Sequence, residues 1–473
     1  MARVVFIQNP WFEFLGPMYI SAALKANGHD CDLYIGNSAG DFLLELWRNK
    51  PDLLAFSVMT GMHKWVLEVA SQLKQELNCP VILGGPHPTF FPEVHYQPQV
   101  DYICRGEGEA AMVELANALD SHGNTGDILN IWSKDAKGRS IENELRPLVD
   151  DLDSLPASDR NLYSRYPALH NDPVLMLIAS RGCPYRCTFC FNHKMAELYR
   201  GKGPYVRHRS PESLLAEIDH LRRTRRISCF YFSDDTFALD KKWLKSFLPV
   251  YGKEIRIPFQ CLVRINQLDE EIVSLLHENG CRAIFFGIES GDESIRNDML
   301  EKDIRDDQIR KGASLLKRYD LKFRTYNMVG FPGETLKQAF KTVELNAEIG
   351  TDYPWCSIFM PYPGTRLEEY ARTKGYLPPN HASGDLASSF HITSLLENPD
   401  RSQLINLHKF FQTAVLFPKA LPLIKLLIKL PPNFLFQLWF SFMYFLIYIK
   451  SEGRPFWSTA ELALRSARFF RKS

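Results

Sequence analysis

Cys183, Cys187 and Cys190 fall within eight residues, in the run "SRGCPYRCTFCFNHK" that begins at Ser180. Four thiols at such spacing would suggest a closed zinc site, and two a disulfide or a redox pair. Three leave one coordination position open, whether on a tetrahedral ion or on a four-iron cluster. Thiolates are soft, anionic donors and suit iron–sulfur clusters. A second reading stays open at this point. His193 lies three residues past Cys190 and could complete a Cys3His zinc site, although a zinc knuckle normally stands alone in a small module. The other seven cysteines are scattered singly and read as small buried apolar residues.

Further residues able to do chemistry come at regular intervals behind apolar runs. Asp234 and Asp235 follow "ISCFYF", Arg264 follows "PFQCLV", and Glu289 follows "CRAIFFGI". Gly330 to Glu334, "GFPGE" with Pro332 at its centre, and Pro361 to Thr365, "PYPGT", close the next two runs. One charged strand end would mean little, whereas a succession of them on one face is hard to reconcile with a purely structural barrel. The bland alternatives are that the two aspartates cap the following helix, and that Tyr326 and Tyr362 fill the core. In the first third, Ser57 and Thr60 follow one strand, Gly84, Gly85 and His87 another, and Gly106, Glu107, Gly108 and Glu109 a third. Glycine after a strand is usually just a turn. Three such loops in one small domain point to a bulky ligand approached closely by backbone.

These residues must be positioned by two α/β layers. From "RVVFIQ" to "ANAL", continuous apolar strands alternate with amphipathic helices, which predicts a doubly wound, Rossmann-like parallel sheet over residues 1–135. Ligands bind at the carboxyl ends of such strands. No G-x-G-x-x-G follows the first strand, which argues against a dinucleotide. Residues 136–172 are polar, contain proline and lack periodicity, so they read as an interdomain linker. From 173 to 380 six strand–helix units recur, fewer than the eight of a closed barrel, and predict a partial (β/α)6 TIM-like barrel with its chemistry at the strand C-termini. With 473 residues, 45% hydrophobic and 23% charged, the chain can bury sizeable cores. Its formal charge of +1 implies no nucleic-acid partner. The start lacks the pattern of a signal peptide, so ten cysteines suggest the cytoplasm or another reducing compartment.

The three cysteines, with Phe189 just before the last, match the radical S-adenosylmethionine signature, and the strand ends extend that resemblance over residues 173 to about 380. It implies a [4Fe–4S] cluster on Cys183, Cys187 and Cys190. The fourth iron would bind the amine and carboxylate of S-adenosylmethionine (SAM). Reductive cleavage of SAM would then give a 5′-deoxyadenosyl radical. It further implies that Phe189, Asp234, Asp235, Arg264, Glu289, Gly330 and Pro332 lie on the SAM side: Arg264 at the carboxylate, Glu289 at the ribose hydroxyls, "MVGFPGE" against the adenine. Residues 1 to about 125 resemble the cobalamin-binding domain that precedes many such enzymes, through "VILGGPHPT" and "RGEGE". Leu15, Gly16, Ser57, Thr60, Gly84, Gly85, His87, Gly106, Glu107, Gly108 and Glu109 would face the corrinoid. The loop "QNPWFEFLGPM" carries no histidine, unlike the Asp-x-His-x-x-Gly loop of cobalamin mutases. That departure argues against mutase chemistry and fits a methyl group facing a neighbouring domain. The resemblance thus implies a class B radical SAM methyltransferase fed by a flavodoxin- or ferredoxin-like donor. Cyclisation, rearrangement or oxidation with the same cofactors stays open, as does a non-catalytic metal- or corrinoid-binding protein at a membrane.

Beyond residue 380 the alternation stops and a helical, apolar region is expected over 381–473. Phe434 to Ile449 carries no charge and approaches the length needed to span a bilayer, while Lys419, Lys425 and Lys429 interrupt an apolar helix as in interfacial segments. Peripheral membrane contact through residues 415–450, a true span, and burial against the barrel or in a dimer are the three readings. Ser458 to Glu461 reads as a helix capping box. A tail of this kind suggests a lipid-like substrate.

Overall fold

The computed structural model describes residues 1–378, 386, 391, 393–454, 456, 459 and 460. The Ser458–Glu461 capping box lies outside them. The chain divides into two compact units. The first holds Met1–Asp172 with Glu197–Pro204, and the second holds Pro173–Ala196 with Tyr205–Thr459, which includes the C-terminal helices.

In the first unit the apolar runs become strands because helices cover both faces of the sheet they form. The order along the chain is β1 (Arg3–Gln8), α1 (Leu15–Ala26), β2 (Asp30–Ile35), α2 (Leu43–Asn49), β3 (Leu53–Ser57), α3 (His63–Leu77), β4 (Val81–Gly84), α4 (Pro86–Phe90), β5 (Tyr102–Cys104), α5 (Glu109–Ser121), β6 (Ile131–Lys134) and β7 (Ser140–Glu142). Across the sheet they run β2-β1-β3-β4-β5-β6-β7, with the first five parallel and the last two added antiparallel. Strand order therefore reverses between β1 and β3, which makes a crevice at their carboxyl ends.

Residues 136–172 do not behave as a linker. Ser140–Glu142 supplies the edge strand, and Tyr163 is fully buried in the first unit's core. The Tyr163 hydroxyl donates to Gln8 Oε1 at 2.9 Å and accepts from the Phe14 N–H at 3.0 Å, which fixes both ends of the loop after β1. Asp159 accepts from Ser21 Oγ and Lys25 Nζ, each at 2.7 Å, and ties the same segment to α1. The contacts come from isolated side chains rather than a periodic face, so no hydropathy pattern announces them. After α6 (Pro167–His170) the chain enters the second unit.

There, six strands stand in chain order: β8 (Val174–Leu177), β11 (Cys229–Phe232), β12 (Phe259–Leu262), β13 (Cys281–Glu289), β14 (Lys322–Val329) and β15 (Tyr353–Ile358), all parallel. A two-residue antiparallel pair, β9 (Ser180–Arg181) with β10 (Arg207–His208), flanks α7 (Asn192–Leu198). The connections are α8 (Pro211–Thr224), α9 (Lys241–Glu254), α10 (Glu270–Glu278), α11 (Asp306–Arg318), α12 (Leu336–Glu348) and, after β15, α13 (Arg366–Thr373). Side chains alternate as the pleat demands. Phe230, Phe232, Cys261 and Phe286 are fully buried in the core under the helices, whereas Met176, Tyr231, Leu262, Tyr326 and Trp355 on the concave side are only half buried. This is the partial (β/α)6 barrel expected.

The C-terminal helices belong to this second unit and are not a separate region. The helix α14 (Arg401–Leu416) packs Leu407, Phe410 and Phe411 against Val329, Phe340 and Cys356, and His408 Nε2 donates to the Cys356 carbonyl of edge strand β15 at 3.1 Å. After α15 (Leu421–Leu427), α16 (Phe434–Glu452) turns its C-terminal end into the concave face. Tyr444 lies 4.4 Å from the Trp355 ring. Gln260 Nε2 and Arg282 Nη2 each donate to the Ser451 carbonyl at 3.0 Å, and Arg324 Nη2 reaches Glu452 Oε1 at 2.7 Å and the Ser451 hydroxyl. Two cations thus meet the negative end of the helix dipole. Arg324 and Glu452 are 5% and 7% exposed, so neither can fall back on water.

Arg324→Met would leave Glu452 buried without its partner and is expected to cost roughly 3–5 kcal/mol. The double variant Arg324→Met with Glu452→Leu should regain much of that, because an apolar pair of similar volume removes the stranded charge. Thermal unfolding checks both, and a single variant as stable as the parent would show that this pair does not hold α16.

Candidate functional site

The three cysteines lie on the loop between β9 and α7, at the C-terminal end of β8. Two features hold it in place. Gly182 has φ +90, and a Cβ there would strike the Tyr205 carbonyl, so only glycine lets the loop turn beside the chain leading to β10. Thr188 pins its centre: its N–H donates to the Leu300 carbonyl at 3.0 Å, its hydroxyl to the Met299 carbonyl at 2.7 Å, and its own carbonyl accepts from the Leu367 N–H at 3.0 Å. Cys187 is buried and the other two are half buried. Burial raises the Cys183 thiol to about 11 and pushes Cys190 up as well. Asn192 offsets this at Cys190, with its N–H 3.5 Å and its amide 3.7 Å from Sγ. The same amide donates to Asp235 at 3.0 Å, and Tyr205 donates to its carbonyl oxygen at 2.7 Å.

Among the described residues, no three His, Cys, Asp or Glu side chains converge as ligands of a single metal ion. The Cys3His set with His193 is therefore not assembled. Three thiolates on one short loop suit a cluster in which each holds a different iron.

The strand ends meet this loop from one side, though not all as expected. Asp234, read as a cofactor contact, is 1% exposed and accepts from the Ala179 N–H at 3.1 Å and from the Ser180 hydroxyl. It anchors the corner before the cysteine loop, and burial raises its carboxyl to about 6. Neither aspartate caps α9, whose cap is Asp240. Arg264, read as a contact to the carboxylate of SAM, stacks on Tyr185 with its guanidinium carbon 3.6 Å from the ring centroid, places Nη1 3.7 Å from Cys187 Sγ, and donates through Nη2 to the Lys302 carbonyl. Glu289 sits at a bulge where the β13–β14 register shifts, with φ +67. Its carboxylate accepts from Lys302 Nζ at 2.9 Å. A Cβ at Gly287 would collide with both partners, so this glycine makes room for the pair. Phe189 lies 5.8 Å from the same ammonium. At the next strand end Gly330 (φ +84) and Phe331 donate their N–H groups to Glu334 Oε2 at 2.5 and 3.2 Å, beside buried Pro332. Glu334 Oε1 is buried and meets no hydrogen-bond partner. Burial raises this carboxyl to about 8.

In the first unit, the predicted loops gather at the crevice. Gly85 (φ +90) brings the β4 end against Ser57 and the Val58 backbone, where a Cβ would come within 3.2 Å of three atoms. Thr60 Oγ1 lies 3.2 Å from His87 Nδ1, and His87 stacks on His63 at 4.2 Å. Burial, then the neighbouring His63, lowers His87 to about 3, so this ring stays neutral and carries the loop rather than a charge. Leu15 and Gly16 open α1, and nothing stands within 4 Å of a Cβ at Gly16. This small-residue cradle suits a bulky flat ligand. Glu107 points elsewhere: its carboxylate accepts from the Val149 N–H at 3.0 Å, while its N–H donates to the Tyr199 hydroxyl at 3.0 Å. A Cβ at Gly106 would strike that hydroxyl. Gly108 caps α5 and Glu109, buried, begins it.

Sequence reasoning did not find Lys302, Tyr163 or Tyr185, and it named Glu334 only as the end of the "GFPGE" run, not as the group that braces that turn. Lys302 and Tyr185 sit in irregular loops without periodic context. A glutamate four residues past Gly330, where a buried turn leaves two N–H groups unpaired, was the one available signal.

Two measurements check this geometry. With the cluster reconstituted, Arg264→Gln is expected to keep full iron and sulfide content but lower the cluster's midpoint potential, because a buried cation beside a thiolate favours the added electron; an unchanged potential with weakened SAM binding would return Arg264 to the carboxylate role. Glu334 has an ordinary value of 4.5, and the folded state keeps its proton to about 8. Between those values the folded chain binds a proton the unfolded chain has lost, so stability should fall as pH rises through that window and level above it. Glu334→Gln should flatten that slope in thermal unfolding.

Comparison with known proteins agrees with the geometry. The model of the radical SAM superfamily matches residues 177–345, and that of the B12-binding domain matches residues 12–116. An uncharacterized methyltransferase of Pyrococcus horikoshii is 29% identical over 368 residues, covering 76% of this chain and 78% of its own. An anaerobic magnesium-protoporphyrin IX monomethyl ester cyclase of Rubrivivax gelatinosus is 24% identical over 369 residues, 74% of this chain and 64% of its own. A hopanoid C-3 methylase of Methylococcus capsulatus is 27% identical over 383 residues, 75% of this chain and 67% of its own. The radical S-adenosylmethionine methyltransferase TsrM of Kitasatospora setae, solved with tryptophan and a SAM analogue, shares the fold with a TM-score of 0.64 at 17% identity, covering 79% of this chain and 77% of its own. With an open three-thiol loop at the head of a partial barrel and a glycine-lined crevice in the preceding α/β unit, the chain joins a B12-binding domain to a domain of the radical SAM superfamily.

Proposed function

We propose that this enzyme transfers a methyl group from cobalamin to an unactivated carbon of a lipid-like substrate. The observation that carries the reading is the pairing, on one chain, of a three-thiol cluster loop with a B12-binding unit whose β1 loop offers no histidine. When bound, the cluster and SAM supply radical chemistry and the corrinoid supplies a transferable methyl group. Cys183, Cys187 and Cys190 would hold the cluster, with Asn192 stabilising the thiolate at Cys190 and Arg264 Nη1 3.7 Å from the Cys187 sulfur. Gly330, Phe331 and Pro332 would present a buried apolar turn to the adenosyl group, kept in shape by Glu334. Glu289, held by Lys302, offers its second carboxylate oxygen to hydroxyl groups. Ser57, Thr60, Gly85 and Gly16 would receive the corrinoid.

A lipid-like substrate accords with the apolar tail and with the hopanoid methylase among the relatives. The same reading makes the enzyme cytoplasmic and peripheral on the inner face of a membrane, with contact through residues 415–450 and a flavodoxin- or ferredoxin-like reductant. A second reading, radical cyclisation with the same cofactors, is favoured by the likeness to the magnesium-protoporphyrin ester cyclase.

Cys187→Ala is expected to reduce anaerobic 5′-deoxyadenosine formation from SAM to background, and unchanged cleavage would refute the cluster assignment. Incubation with methyl-labelled SAM, reductant and an apolar lipid extract of the host should place label in an extractable product. Substrate turnover without label would favour cyclisation.

A further inference from the structure

We propose that α15 and the outer half of α16 form a seat that rests in the interface of an anionic lipid bilayer without crossing it. The inference deepens the peripheral reading above and rests on it. Its first support is where apolar surface remains uncovered. Half of the large apolar side chains left exposed among the described residues lie between Phe417 and Phe442. Leu423, Leu426 and Leu430 show 50–63% of their surface, and Phe434 and Leu435 each show 72%. Single exposed leucines need no explanation, whereas a contiguous set marks an interaction surface.

Charge decides what covers it. From Arg401 to Ser451 the chain carries six lysines and arginines and no aspartate or glutamate. Lys419, Lys425 and Lys429 are exposed among the exposed leucines, an arrangement in which apolar side chains enter the acyl boundary and ammonium groups stay at the headgroups. Trp439, whose indole N–H donates to Thr413 Oγ1 at 2.8 Å, keeps part of its ring exposed at the same boundary. A second copy of the chain is a poorer occupant, since a two-fold contact would set the same lysines against each other.

The anchorage of α16 excludes a span. The helix is 19 residues long and apolar enough to cross a membrane. Its inner half is not free to do so. Phe440, Met443 and Ile447 are buried in the second unit, and Ser451 and Glu452 are held by Gln260, Arg282 and Arg324. Only Phe434 to Trp439 lie wholly ahead of that anchorage, about 9 Å of helix against a hydrocarbon core of roughly 30 Å. One rigid helix thus links the lipid-facing surface to the concave face of the barrel, a route suited to an apolar substrate.

Flotation of the full, cluster-reconstituted chain tests this with vesicles of phosphatidylglycerol and phosphatidylethanolamine, against vesicles of phosphatidylcholine alone. Binding to the anionic vesicles is expected, at least tenfold tighter than to the neutral ones, with full release by alkaline carbonate. The pair Leu426→Glu with Leu435→Glu should abolish it. Replacing Lys419, Lys425 and Lys429 by Gln should weaken it on the order of a hundredfold. Iron content and SAM cleavage, measured without vesicles, should not change in either variant. Failure to float with anionic vesicles, binding indifferent to both variants, resistance to carbonate, or a dimer dispersed by the glutamates in place of vesicle binding would each overturn the proposal. Loss of SAM cleavage in the parent would count against the enzymatic reading and leave this one standing.

Discussion

A parallel sheet of six strands that stops short of closure carries two physical debts from the start. Its last strand, β15, has an edge of backbone groups to satisfy, and its concave face holds side chains such as Tyr326 and Trp355 that the outer helices cannot cover. Most of the second unit answers one or the other. The helix α14 lays an apolar face along β15 and gives its edge a donor from His408. The end of α16 enters the concave face, and Gln260, Arg282 and Arg324, on three neighbouring strands, grip it. With those ends secured, the carboxyl ends of the strands are left for chemistry.

At those ends the governing cost is desolvation. Three charged groups at these strand ends are each partnered by another element. Glu289 on β13 has Lys302, Asp234 has the corner at Ala179 and Ser180, and Arg264 has Tyr185 and the Lys302 carbonyl. Each partner removes a degree of freedom from its neighbour, so the loop carrying Cys183, Cys187 and Cys190 is braced although it contains little regular structure. Buried thiols resist ionisation, and metal binding to them is coupled to proton release. The backbone N–H and amide of Asn192 favour that release at Cys190, and the guanidinium of Arg264 lies 3.7 Å from the sulfur of Cys187.

The first unit solves a smaller version of the same problem. Its crevice between β1 and β3 is made by backbone turns, which depend on glycines and on rings packed behind them, His63 on His87 above all. Tyr163, from a stretch without regular pattern, ties down the β1 loop by bonding both its ends. The turn at Gly106 and Glu107 is likewise steadied by Tyr199 and Val149.

Alternation of apolar strands with amphipathic helices was enough to reveal both sheets, because strand and helix periods follow from local backbone geometry. The cysteine spacing singled out a candidate cluster loop for a similar reason: three thiols on one short loop are near one another in any fold. Glycines at Gly85, Gly106 and Gly330 could be read because each sits where the chain must turn with positive φ. What the sequence did not determine was which distant group each of these residues would meet. Lys302 for Glu289, Tyr163 for Gln8, and Arg324 for Glu452 are separated by 13, 155 and 128 positions, and no period connects them. The same holds for the tail, whose composition alone fits a span, an interfacial helix or a buried one. Tertiary structure fixed the inner end of α16 inside the second unit by placing Glu452 beside Arg324, since a buried charge stays where its partner is.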